Sequence, residues 1–324
     1  MQTILTLGPA TQTEEIITEL LGVADGFRLN SSHLTPEQLQ KWLDKLSTIF
    51  SRTDRTLPVI IDLQGAKMRI GEYPDVPELP NDKVTLLLQN ETDTSSIIPV
   101  PHEELFQELR AGDVLTLNDT RIILEIIDVS PNEALAAVLK NGPLCSLKGI
   151  NRTRHPVPYR VMTNKDKETI ELCQKFPFTH YAFSFVLNGE EAALLRPATG
   201  QKQLIAKIER PEALSHLSTI DSKFDAIWFC RGDLGAQAGV ENLGSLQEQF
   251  VTAFEILKSP KYLAGQVLEH MSHFPEPTRS EVVHLHDIQK AGFDGIILSD
   301  ETAIGKYPLE VASFLKRFRS RNLA

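Results

Sequence analysis

The chain has 324 residues, of which 41% are hydrophobic and 23% are charged, and its formal net charge is -10. A chain of this length can bury a large core and can form one large domain together with a smaller one. The acidic balance argues against nucleic acid as a main partner, and an anionic substrate would need basic residues gathered at one site.

The N-terminal segment and the cysteines bear on the compartment. The segment MQTILTLGP has neither a basic region nor a long apolar stretch, and the chain contains no run of about 18 apolar residues. The cysteines Cys145, Cys173 and Cys230 are few, odd in number and widely spaced, which is typical of a reducing compartment and predicts no metal site. We therefore expect a cytoplasmic protein with no membrane partner.

Short apolar runs recur eight times along the chain, and a helical pattern follows each of them. Thr13 and Thr35 are typical N-cap residues of the first two helices, and Gly292 is a typical helix stop. Eight strand-helix units favour an α/β fold of the closed (β/α)₈ type, the TIM barrel, with an open doubly wound sheet as the alternative. The predicted strands are residues 3–7, 26–29, 58–63, 180–183, 203–208, 225–229, 261–267 and 295–298.

The third unit is interrupted by a segment with a different pattern. Between residues 71 and 158 the chain has short β-like runs at 83–88, 114–117 and 121–129, separated by turn residues. We predict a small all-β domain, residues 72–157, inserted after the third strand of a barrel formed by residues 1–71 and 158–324. The insertion leaves from the rim where barrel enzymes have their active sites, so it is either a lid over the site or a packing module.

Charged residues follow two strands that are predicted to be neighbours. The segments are Lys207-Ile208-Glu209 and Arg231-Gly232-Asp233-Leu234-Gly235. The carboxyl ends of parallel strands meet at one rim, so we expect Glu209 and Asp233 to lie side by side with two cations nearby. This arrangement fits a divalent metal that holds an anionic, phosphorylated substrate. A surface salt-bridge cluster is the alternative.

Polar residues end other strands as well. Arg28 and Arg69 can bind phosphate oxygens in a fork. Asn30, Ser32 and Asp62 offer the oxygen ligands that alkali and alkaline-earth ions prefer, although each alone could cap a helix or form a turn.

Five further polar residues give weaker signals. We interpret His33 from its position as a loop hydrogen-bonding residue. His284 and His286 are two residues apart on a predicted helix, so they point to different faces and do not predict a zinc site. Asp300-Glu301 is either a helix start or part of a catalytic group.

At these residues the chain closely resembles the pyruvate kinase family, over nearly all of its length. Several sequence blocks match that family in the same order. They are TLGPAT (6–11), RLNSSH (28–33), KDK (165–167), AKIE (206–209), RGDLG (231–235), PTRSE (277–281) and LSDETAIGKYPLE (298–310).

The resemblance implies a (β/α)₈ barrel with an inserted β-domain lid, and phosphoryl transfer from phosphoenolpyruvate to ADP to give pyruvate and ATP. It implies that Glu209 and Asp233 bind Mg²⁺ or Mn²⁺. It implies that Lys207 stabilises the transferring phosphoryl group and the enolate, and that Arg28 binds phosphate.

The remaining implied roles concern potassium, nucleotide and substrate. The side chains of Asn30, Ser32 and Asp62 and the carbonyl of Leu63 match a potassium site, so K⁺ is an additional expected cofactor. Arg69 and His33 match the nucleotide side of the site. The substrate contacts that the resemblance implies, besides Arg28 and Lys207, are at Gly232, Asp233 and Gly265.

The chain also departs from the family pattern. Gly265 stands where the family has a threonine that delivers a proton to the enolate, Leu187 stands where a polar residue is usual, and Asp300 replaces a glycine. The strand-three segment LQGAKMRI is also altered. Loss of the threonine should slow turnover by roughly 10² to 10⁴ if no other group acts as the acid, and Gly265→Thr should then raise it.

Two other functions therefore stay open. One is a divalent-metal lyase or decarboxylase that acts through a pyruvate enolate, and the other is a catalytically weak sensor that binds phosphoenolpyruvate. We expect no C-terminal effector domain, because the sequence stops after the eighth helix, and we expect a monomer or a homodimer rather than the tetramer of the family.

Overall fold

The computed structural model describes residues 1–118, 120–153 and 156–321. The chain divides into two compact units. The first unit consists of Met1–Gly65 and Val161–Ala324, and the second is Ala66–Arg160. The predicted inserted domain, residues 72–157, is shorter than this second unit at both ends.

The strands and helices of the described ranges are numbered here in chain order. The strands are β1 (Gln2–Thr6), β2 (Gly26–Asn30), β3 (Val59–Leu63), β4 (Lys83–Leu87), β5 (Ile97–Pro99), β6 (Val114–Leu117), β7 (Ile122–Ser130), β8 (Glu133–Lys140), β9 (Ile150–Arg152), β10 (Thr179–Phe183), β11 (Leu204–Ile208), β12 (Ala226–Cys230), β13 (Lys261–Ala264) and β14 (Gly295–Leu298). The helices are α1 (Glu14–Leu21), α2 (Pro36–Arg52), α3 (Glu103–Glu108), α4 (Asn164–Cys173), α5 (Glu191–Thr199), α6 (Leu217–Asp221), α7 (Arg231–Ala238), α8 (Leu243–Thr252), α9 (Arg279–Ala291), α10 (Asp300–Ala303) and α11 (Pro308–Arg321).

The first unit is a closed parallel barrel, which confirms the predicted TIM barrel and excludes the open sheet. Its strand order is β1-β14-β13-β12-β11-β10-β3-β2. Every residue of β3, β11 and β12 is buried, as expected for parallel strands that are covered on both faces. All eight predicted barrel strands are present, and their ends differ from the prediction by only a few residues.

Local capping explains where several helices of the barrel unit begin and end. The Thr13 hydroxyl accepts the N–H of Ile16 at the start of α1. Thr35 and Gln38 form a reciprocal capping box at the start of α2, with proline at the first helical position. Helix α9 ends at Gly292, whose φ of 95° is left-handed.

The second unit contains a six-stranded sheet with a core of its own. The strand order is β5-β4-β8-β7-β6-β9, and most neighbours are antiparallel. Fully buried Leu86, Leu115 and Leu124 are part of this core. The unit also contains the short helix α3, so it is not purely β. No helix of the described ranges is both long enough and apolar enough to cross a bilayer.

An aromatic cluster supports the barrel wall outside β12. Phe250 is fully buried and stacks on Phe229 with ring centroids 5.0 Å apart. It also contacts Phe254 edge-on at 5.2 Å. We expect Phe250→Ala to lower the free energy of unfolding by about 3–5 kcal/mol, because it leaves a cavity that the neighbouring rings cannot fill.

Urea denaturation followed by circular dichroism would measure this change. Phe274→Ala is the matched control, because Phe274 is 53% exposed and its truncation should cost less than about 1 kcal/mol. Equal losses of unfolding free energy in the two variants would contradict the stabilising role of the aromatic cluster.

Candidate active site

A buried charge network lies at the carboxyl ends of neighbouring barrel strands. The ammonium of Lys207, on β11, lies 3.0 Å from Oδ1 of Asp62, on β3, and 3.0 Å from Oε1 of Glu209. It also donates to the Ser184 hydroxyl at 2.8 Å, just after β10. All four residues are less than a tenth exposed. The barrel therefore brings Asp62 and Ser184, which are distant in sequence, together with Lys207 and Glu209.

Arg28, on β2, extends this network. Its Nε and Nη2 donate to Oδ2 of Asp62 at 2.8 and 2.6 Å, and its Nη1 donates to the Thr6 hydroxyl at 3.1 Å. Burial by itself would raise the pKa of Asp62, but Lys207 and Arg28 outweigh burial and lower it below the ordinary value. Asp62 is therefore a carboxylate that bridges two cations.

The protonation of Lys207 decides what it can do chemically. Burial by itself would lower the pKa of Lys207, but the carboxylates of Asp62 and Glu209 outweigh burial and raise it. Lys207 consequently remains an ammonium ion at neutral pH. It can neutralise negative charge on a bound anion, and it cannot act as a base.

Glu209 and Asp233 are the two predicted metal ligands. Oε2 of Glu209 accepts the N–H of Phe185 at 2.9 Å, and Phe185 has a left-handed φ of 59°, a conformation that costs about 1–2 kcal/mol. Asp233 lies in the first turn of α7, directly after β12. Burial raises the pKa of the Cys230 thiol, and the Glu209 and Asp233 carboxylates raise it further.

The chemistry of this pair fits Mg²⁺ or Mn²⁺. Magnesium is commonly bound by one or two carboxylates, with water and substrate phosphates as the other ligands. Among the described residues no group of three His, Cys, Asp or Glu side chains could hold a metal alone. A metal bound by Glu209 and Asp233 would need water and substrate as its further ligands.

The predicted potassium ligands supply oxygen atoms, but several of these atoms accept hydrogen bonds. Oδ1 of Asn30 accepts the N–H of Ser32 at 3.2 Å, and the Leu63 carbonyl accepts the Ser184 hydroxyl at 2.9 Å. The Asp62 carboxylate accepts from the two cations described above. Potassium binding stays a prediction, since an ion would compete with these contacts.

Gly265 lies in a tight turn after β13. Its φ is 89°, and a Cβ at this position would lie 2.9 Å from the backbone nitrogen of Gly232. A side chain would therefore be strained and would push against the first turn of α7. The expectation that threonine at this position would restore turnover is not supported by this backbone.

The two residues assigned to the nucleotide side lie in different units. His33 belongs to the barrel unit and lines a cavity of about 620 Å³ together with Arg28 and Asn30. Arg69 belongs to the second unit, where its Nη1 donates to the Leu147 carbonyl at 2.9 Å. The structure thus brings His33 together with the strand-end residues and places Arg69 in the smaller unit.

Ser184 was not among the predicted site residues, although a serine directly after a buried strand is a candidate for a strand-end site. The sequence also left the role of Glu301 undecided. Glu301 is fully buried, and its carboxylate accepts the N–H groups of Val267, Leu268 and Ser299. Burial raises its pKa. Glu301 therefore fixes the segment that follows β13 against the end of β14.

Asp166, on α4, holds the loop that follows β3. Its carboxylate accepts the N–H of Gln64 at 3.0 Å and that of Gly65 at 3.1 Å. Burial raises the pKa of Asp166 to about 6, despite these hydrogen bonds. The loop with the most altered sequence is thus fixed by a carboxylate that ionises near neutral pH.

Comparisons with known proteins agree with one another. Residues 1–312 match the sequence model described as "Pyruvate kinase, barrel domain". The chain is 33% identical over 319 residues to a pyruvate kinase of Methylorubrum extorquens, covering 97% of this chain and 66% of that protein. It is 31% identical over 321 residues to a pyruvate kinase of Thermococcus litoralis, with coverages of 97% and 68%.

A solved structure gives the same result. The pyruvate kinase of Pyrobaculum aerophilum superposes with a TM-score of 0.84 at 26% identity, covering 98% of this chain and 72% of that one. The chain spans about two thirds of the length of the curated relatives named above.

The ionisation of Asp166 should be visible in the pH dependence of stability. Because its pKa is raised from 3.8 to about 6 in the folded state, the folded state loses stability as pH rises between these values. The shift corresponds to about 3 kcal/mol. Asp166→Asn cannot ionise. Its free energy of unfolding, relative to that of the wild-type protein, should therefore increase by about this amount as pH rises through the window. Urea denaturation of both proteins at several pH values between 3.5 and 7.5 measures it, and a constant difference would contradict the raised pKa.

The Gly265 turn gives a second prediction on stability. Gly265→Thr should lower the free energy of unfolding by about 1–3 kcal/mol, because threonine is strained at positive φ and its Cβ meets Gly232. Gly244→Thr is the matched control, since φ is ordinary there and a Cβ would meet nothing within 4 Å. If Gly265→Thr were as stable as the control, the turn would have to be more adaptable than its contacts indicate.

Proposed function

Because the chain belongs to the pyruvate kinase family, we propose that it transfers the phosphoryl group of phosphoenolpyruvate to ADP, giving pyruvate and ATP. The observation that carries this proposal is the buried ammonium of Lys207, held between Asp62, Glu209 and Ser184 at the barrel rim. Phosphoryl transfer depends mainly on positioned charges and requires little covalent chemistry from the protein.

Each charged residue then has a distinct role. Lys207 neutralises charge on the transferring phosphoryl group and on the enolate oxygen. Arg28 binds the phosphate, and Thr6 and Asp62 orient its guanidinium. Glu209 and Asp233 would hold Mg²⁺ or Mn²⁺, which would supply positive charge to the phosphate. The amides of Gly232 and Asp233, at the N-terminal end of α7, bind the substrate carboxylate.

The barrel unit contains a cavity that can hold the nucleotide. The cavity of about 620 Å³ is lined by Arg28 and by two basic residues of α2, Lys41 and Lys45. It is of the size expected for a small-molecule site. We assign ADP to this cavity next to His33.

Gly265 favours a second candidate. It has no side chain to deliver a proton, and an enzyme that needs the enolate unprotonated would tolerate this. A divalent-metal lyase or decarboxylase that acts through a pyruvate enolate therefore remains the alternative. A protein that binds phosphoenolpyruvate tightly without turnover would instead be a sensor.

A coupled assay with phosphoenolpyruvate, ADP and Mg²⁺ or Mn²⁺, with and without K⁺, tests the proposal. We expect ATP and pyruvate in equal amounts. Lys207→Met should lower kcat by roughly 10³-fold, because it removes the cation that neutralises the transition state. The matched control is Lys223→Met, since Lys223 is exposed on the surface of the barrel unit.

A loss of activity in Lys207→Met has to be separated from unfolding, because two buried carboxylates each lose a hydrogen-bonding cation and Asp62 keeps only Arg28. Lys207→Arg keeps the charge and should fold, yet its bulkier head group should not restore full turnover. Normal activity of a folded Lys207→Met protein would exclude the assigned role. Consumption of oxaloacetate without nucleotide would favour the lyase.

A further inference from the structure

Arg231 is a polar side chain to which the proposed chemistry gives no role. It is the first residue of α7, and its guanidinium carries five N–H donors. Nε and Nη2 donate to the Gly265 carbonyl at 2.9 and 2.7 Å, and Nη2 also donates to the Gln266 carbonyl at 2.8 Å. Nη1 lies 2.6 Å from Nε2 of His284. These four contacts join α7, the turn after β13 and helix α9.

The turn that Arg231 holds is strained. Gly265 and Gln266 both have left-handed φ values, 89° and 53°. For glutamine this conformation costs about 1–2 kcal/mol, so the turn persists only when other contacts fix it. A Cβ at Gly265 would lie 2.9 Å from the backbone nitrogen of Gly232 and 3.4 Å from that of Arg231, so the turn lies close to the first turn of α7. The position of this turn therefore affects the position of the amides at the start of α7.

The contact with His284 requires one protonation state. Arginine always carries its protons, so Nε2 of His284 must be the acceptor, and the ring is then neutral with its proton on Nδ1. A protonated ring would point an N–H at the guanidinium and would repel it. Of the charged groups around the ring, Arg231 faces it from α7 and Asp287 lies on its own helix. Burial, and then Arg231, lower the pKa of His284, while Asp287 raises it.

We propose that neutral His284 is a positioning residue that holds Arg231 on the Gly265–Gln266 turn, and that protonation of His284 releases this turn and reduces catalysis at acidic pH. Since the ring must be neutral, the contact is complete above the ordinary pKa of 6.5 and is lost as pH falls through the lowered value. The catalytic part of this inference rests on the proposed function.

The first experiment does not depend on activity. In protein with ¹⁵N-labelled histidine, NMR at about pH 7.5 should show His284, identified by the signal lost in His284→Gln, as the Nδ1-protonated tautomer. Its titration midpoint should lie below 6.5 and should rise in Arg231→Met, which removes the neighbouring cation. An Nε2-protonated tautomer, or a midpoint that Arg231→Met leaves unchanged, would overturn the proposal.

The second experiment measures kcat/KM for phosphoenolpyruvate as a function of pH. Glutamine places an acceptor oxygen near the position of Nε2 at every pH, so His284→Gln should lose the acidic decline that the wild-type protein shows. His284→Lys imitates the protonated state and should lower kcat/KM by roughly tenfold at all pH values, the loss expected for one hydrogen bond to a charged group.

His286→Gln is the matched control, because this exposed histidine lies two residues further along the same helix. It should keep the wild-type pH profile, and thermal unfolding should show that all variants fold. If His284→Gln kept the acidic decline of the wild-type protein, the proposal would be wrong. If the wild-type protein showed no turnover at all, the proposed function would fail while the NMR result would still decide whether His284 holds Arg231.

Discussion

The carboxylate of Asp62 is the group on which the strand-end charges depend. An isolated buried charge costs several kcal/mol, and removing one member of a buried pair leaves that cost uncompensated. Asp62 avoids this because Arg28 and Lys207 both donate to it. The barrel order β11-β10-β3-β2 places Lys207, Ser184, Asp62 and Arg28 on four consecutive strands or directly after them. The closed parallel sheet thus makes the network possible, and the network keeps both cations charged where an anion can bind.

The segments that follow the barrel strands are fixed in a common way. At each of four positions a charged and largely buried side chain binds backbone groups of the adjoining segment. These contacts hold the segment in a fixed position relative to the barrel. Two of these segments contain strained residues, which persist because the contacts over-determine them. The four contacts are Glu209 with Phe185, Asp166 with Gln64 and Gly65, Glu301 with Val267 and Leu268, and Arg231 with Gly265 and Gln266.

Apolar runs predicted the eight barrel strands, because buried parallel strands have a local signal in the sequence. The sequence also placed Lys207, Glu209 and Asp233 at the ends of two neighbouring strands, where they lie in the structure. Strand β8, residues EALAAVLK, was missed, since its sequence favours helix and only pairing with β4 and β7 makes it a strand. The contact between Arg231 and His284 was also missed. It joins residues 53 positions apart, and no spacing rule predicts which loop carbonyls a strand-end arginine will bind.

The backbone at Gly265 leaves little room for a side chain, at a position where the family resemblance implies a proton donor. A side chain at this position would push against the Gly232 amide. The carbonyl of Gly265, which accepts from Arg231, would then move as well. The glycine and the arginine contact therefore form one structural feature, and a single substitution cannot add a proton donor without disturbing the start of α7. A donor at this position would require the turn, Gly232 and the partner of Arg231 to change together. If the protein protonates an enolate, the proton must then come from water or from a group other than the side chain of residue 265.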